Sequence, residues 1–143
     1  MEAIREALRQ VLEGADFESP ATLLKSVKPN QAAAIANGLP YSIATNVAHA
    51  DIWNRLWLAR LEGKPKFNPF PDFPLIDEKD WPKLSKQFVA NVERAYKIAC
   101  AEPFKHKCKS DDVAQKTLLK IAVHTAYHLG QIKLLKRALR SQK

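Results

Sequence analysis

Apolar residues recur at helical spacing through most of the chain, and no convincing strand pair interrupts them. Residues 2–13 place Ile4, Leu8, Val11 and Leu12 on one face with Glu, Arg and Gln elsewhere, the period of an amphipathic helix that Gly14 ends. Ser19-Pro20 reads as an N-cap followed by a proline at the first helical position. It opens a short helix with Leu23, Leu24 and Val27 that stops near Pro29. Residues 28–40 are ambiguous: 31–36 suits a helix, yet Asn37-Gly38 is a turn signal.

After Leu39-Pro40-Tyr41-Ser42 a second long helix runs to about Glu62, with Gly63 as its stop. His49 lies in its largely apolar run 43–57, and Thr45, Asn46, Ile52 and Trp53 share its face. Residues 64–77 interleave Pro65, Pro69, Pro71 and Pro74 with Phe67, Phe70 and Phe73, which excludes a helix or a central strand. So long a loop predicts a crossover or a lid, its phenylalanines packed over one end of the molecule.

A third long helix fits about 79–101, with Leu84, Phe88, Val92, Ala95 and Ala99 as its core stripe and Pro82 in its first turn; Glu102-Pro103 stops it. Ser110-Asp111-Asp112 caps a last helix to about residue 140, on the order of 45 Å long. The expected class is all-α, one domain over 1–143, with the helices packed as a bundle. The crossover loop lets the second and third long helices run parallel, and the others are then antiparallel neighbours.

Composition narrows this picture. Hydrophobic residues at 46% and charged residues at 27% are those of a folded globular chain. No apolar run approaches a membrane span, and the N-terminus lacks the layout of a signal peptide, so a cytoplasmic protein without membrane contact is expected. Cys100 and Cys108 fall in no metal spacing and are read as reduced. A net charge of +8 would suit nucleic acid, but the basic residues are spread along every segment. Their densest group, Lys133, Lys136, Arg137, Arg140 and Lys143, ends a helix, where cations complement the macrodipole. A nucleic-acid partner is therefore not the expectation.

The candidate chemistry is in the histidines. His124 and His128 are four apart on the last helix, so their rings share a face and can converge on one ion. The spacing alone also fits two hydrogen-bonded core histidines. His49 joins them as a candidate because it too sits in an apolar helix, whereas His106, among Lys105, Lys107 and Lys109, reads as solvated. Trp53 and Tyr127 are candidates for a pocket or for the core, Gln131 for a hydrogen bond to a ligating histidine's second nitrogen or a metal-bound water or for helix packing, and Thr45 shares the face of His49. Asp51 should point away, and no carboxylate is placed as a general base.

In its helix order, in the single histidine midway along the second long helix, and in His124-Thr-Ala-Tyr-His128-Leu-Gly130-Gln131, the chain resembles the DinB-like proteins, including the YfiT-type metal-dependent members. The resemblance extends over nearly the whole chain, from Leu-Arg-Gln-Val-Leu-Glu-Gly through Gly38-Leu-Pro-Tyr-Ser42 and Ala48-His49 to that terminal motif. It implies a four-helix bundle with a divalent-metal site, nickel or zinc, on His49, His124 and His128. It also implies a small-molecule substrate: relatives include transferases using low-molecular-weight thiols such as bacillithiol or mycothiol, and a maleylpyruvate isomerase. A hydrolase that activates water and a homodimer both remain compatible with it. Three neutral imidazoles would leave an ion its full charge and open positions, as in catalytic sites; the competing reading is a structural clamp between two helices.

Overall fold

The computed structural model describes residues 1–142. Among them the chain forms six helices, α1 (Glu2–Glu13), α2 (Pro20–Lys25), α3 (Pro29–Ala33), α4 (Ile43–Glu62), α5 (Trp81–Cys100) and α6 (Asp111–Ser141), and no strand. The four long helices are those the apolar period predicts. No helix among the described residues is long and apolar enough to cross a membrane.

The local signals act where they stand. Ser19, Ser42 and Ser110 each accept a hydrogen bond from the backbone N–H three residues on, capping α2, α4 and α6. Gly63 closes α4 at φ +69°, a left-handed conformation that costs glycine nothing, and its N–H donates to the Ala59 carbonyl. Two boundaries differ from expectation. α2 ends at Lys25, where the Lys136 ammonium from α6 donates to the Leu23 carbonyl and the Ser26 hydroxyl. Glu78–Asp80 is a single 3-10 turn, so α5 begins at Trp81 with Pro82 inside its first turn. The ambiguous stretch resolves into the short α3 and a turn at Gly38.

α4 packs on α5 and α6, and α1 packs on those same two helices. α4 and α5 run in the same sense: Asp51 meets Gln87 and Asn91, and further on Glu62 pairs with Arg94. α6 runs against α4, since His49 meets His128 while Trp57, two turns later, meets His124. The loop 64–77 thus spans the length of α4, as expected of a crossover. Leu8, Val47, Phe88, Val92, Ile121 and Ile132 are fully buried in the core between these helices. Every residue from Ser42 to Asp51 is buried, because α3 and the returning loop cover the side of α4 that α5 and α6 leave free.

Candidate metal centre

The two helices deliver the three histidines by register. α4 brings in His49 two turns after its Ser42 cap, and α6 brings His124 and His128 one turn apart on the facing side. Their Nε2 atoms converge: His124 lies 3.3 Å from His49 and 3.1 Å from His128. One ligand atom from each histidine lies within 4.8 Å of the other two, so the group could hold a metal ion.

Tautomers decide whether hydrogen bonds alone account for this. Nδ1 of His49 sits 2.8 Å from the Asp72 carbonyl oxygen and 3.0 Å from the Asp72 carboxylate. Both are acceptors, so Nδ1 carries the proton, and in the neutral ring Nε2 of His49 presents a bare lone pair. A neutral His124 has one proton to give and two close nitrogens to satisfy. Neither His124 nor His128 supplies the missing proton at neutral pH: burial, then the neighbouring histidines, hold both down at about 4. A cation between the rings satisfies all three lone pairs. At Zn–N distances of ~2.0–2.1 Å and a tetrahedral angle, ligand nitrogens lie ~3.3 Å apart, which fits the spacing found.

Asp72 is the principal residue that the sequence did not reveal. Its carbonyl oxygen accepts from the His49 ring, and its carboxylate lies 3.0 Å from the same nitrogen and accepts, at 2.7 Å, from the Trp53 indole N–H. A carboxylate therefore stands beside the site, behind one of the histidines rather than as a general base. Phe73 stacks on His49 at 4.1 Å, Tyr41 stacks on Phe73 at 4.4 Å, and Trp57 meets His124 edge-on at 5.1 Å. Asp72→Ala should weaken divalent-metal affinity by about 10–100-fold while leaving the helix content unchanged. Isothermal titration with zinc checks this, and an unaltered affinity would leave the orientation of His49 to the Asp72 carbonyl alone.

The remaining candidates divide. Trp53 acts through Asp72, and Thr45 donates to the Pro74 carbonyl at 2.8 Å, so it anchors the loop rather than lining a pocket. Tyr127 packs edge-on against His128 at 5.1 Å and its hydroxyl accepts from the Gln131 amide. Nδ1 of His124 and of His128 and Oε1 of Gln131 are buried without partners; Gln131 follows His128 by about one turn of α6. Asp51 faces α5, away from the site, as expected. His106 is not the solvated residue its lysine neighbours imply: its side chain is 9% exposed, lies against Phe104, and pairs with Asp111 at 2.7 Å. Of the three loop phenylalanines only Phe73 packs on the site. Phe67 lies under the Arg55 guanidinium and Phe70 is 65% exposed.

The depressed histidine pKa values carry a stability consequence. Between about pH 6.5, where the unfolded histidines titrate, and about pH 4, where His124 and His128 do so in the fold, the unfolded chain binds more protons. Metal-free protein should keep full stability above pH 6.5 and lose it as the pH falls through that window. Urea midpoints at pH 7, 6 and 5 test this; a midpoint constant over that range would contradict it.

No family model, curated protein or solved structure matches this chain.

Proposed function

We propose that the chain is a DinB-like metal-dependent enzyme, a four-helix bundle of α1, α4, α5 and α6. It holds one divalent ion, nickel or zinc, on His49, His124 and His128 and acts on a small thiol or through water. The observation that carries this reading is the convergence of three imidazole nitrogens on one point, with the His49 ring held by Asp72 behind it. An ion held by three neutral ligands keeps its full charge and lowers the pKa of a thiol or water that binds it.

The residues of the chain set the conditions for that chemistry. Asp72 fixes the ring of His49, while Phe73 and Tyr41 form an aromatic cover on its far face. Among the described residues no fourth His, Cys, Asp or Glu joins the group, whereas structural zinc sites are closed by four protein ligands. That favours an open site over a clamp. The thiol reading also draws on the resemblance to thiol-using relatives and on the affinity of such ions for sulfur.

Cobalt(II)-substituted protein tests it. Bacillithiol, glutathione or cysteine should each be tried, and at least one should add near-ultraviolet charge-transfer absorption and shift the visible bands, with no change when the three histidines are replaced. Spectra indifferent to every small thiol would exclude thiol transfer and leave water activation or a clamp.

A further inference from the structure

An open hollow of about 650 Å³ lies beside the histidine cluster, between α4 and α6. Trp57 of α4 and Leu119, Val123 and Tyr127 of α6 line it, together with the ring of His124. Leu119, Val123 and Tyr127 follow one another at intervals of one turn, and are 42%, 61% and 63% exposed. They take no part in the core. The surface of the hollow is almost wholly apolar and open to solvent, so what it can hold is the apolar body of a ligand rather than its polar groups.

The rim supplies the charge. Lys116 and Lys120 also line the hollow, and in apolar surroundings such side chains lay down their methylene stems and keep the ammonium in water. Lys116 is paired with Asp112 at 2.8 Å, whereas Lys120 belongs to no ion pair among the described residues. Lys120 stands one turn before His124, ~6 Å along the helix axis. A free cation at the edge of an apolar trough, on a chain of net charge +8, selects an anion with an apolar body. Two lysines do not make the continuous basic track that a nucleic acid needs.

We propose that this hollow holds the apolar body of a small anionic ligand against Trp57 and the His124 ring, with its charge on Lys120. The test uses three aromatic probes of one size on metal-free protein: naphthoate, naphthylmethanol and naphthylmethylamine. Dissociation constants are read from tryptophan fluorescence. The acid should bind roughly tenfold more tightly than the alcohol, about the contribution of one charge-assisted hydrogen bond, and the amine most weakly. Lys120→Gln should bring acid and alcohol together, and Lys120→Glu should place the amine first. Lys83→Gln, an exposed site on α5, should leave the order unchanged. Equal constants for the three probes, or an unchanged order in Lys120→Glu, would overturn the proposal.

Discussion

Alanine at His49, His124 or His128 should each abolish stoichiometric binding of a divalent ion, whereas His106→Ala should leave it intact. The three Nε2 atoms meet within 3.1–3.3 Å along the chain His49, His124, His128, so removing any one leaves at most two protein ligands. His106 pairs instead with Asp111, at the start of α6, and has no ring of the cluster beside it. Metal content of untagged protein after gel filtration, by mass spectrometry, checks the set. Retention by His49→Ala together with loss in His106→Ala would refute the assignment.

The second large effect separates fold from site. Phe88→Ala should destabilise the protein by about 3–5 kcal/mol, the usual result of emptying a fully buried aromatic position. Phe88 is 0% exposed on α5, in the core stripe, while the histidines belong to α4 and α6. Its folded fraction should therefore still bind one ion per chain. A ligand that binds only the folded state stabilises by RT ln(1 + [L]/Kd), about 2.7 kcal/mol at a hundredfold excess over Kd. Zinc should thus raise the urea midpoint of Phe88→Ala and of wild type, but not that of His124→Ala. A Phe88→Ala protein as stable as wild type would contradict the core described for α5.

What the sequence discloses follows from which forces are local. Helix starts and stops were legible because caps act within one turn: Ser42, Gly63 and Ser110 work where they stand. The pair His124 and His128 was legible for the same reason, being a matter of period on one helix. His49 could be added because its surroundings are apolar, although its distance to the pair depends on how α4 packs against α6. Asp72 was not legible. It lies in a proline-rich segment without period, and it reaches His49 only because the loop returns along α4, held by Thr45 at Pro74. His106 was misread from its neighbours, because lysines adjacent in sequence do not prevent a ring from lying against Phe104. Trp57 meets His124 across an interface, a relation that spacing within either helix does not encode.

The central claim is that three neutral histidines, protonated at Nδ1, offer Nε2 to one ion. Nitrogen-15 NMR of the imidazole side chains during titration of metal-free protein with zinc tests it most directly. The account predicts that Nε2 of His49, His124 and His128 moves together from the lone-pair to the metal-ligated range, saturating at one ion per chain, while His106 stays in place. Zinc that leaves the three Nε2 signals unmoved, or shifts His106 in place of His49, would contradict it.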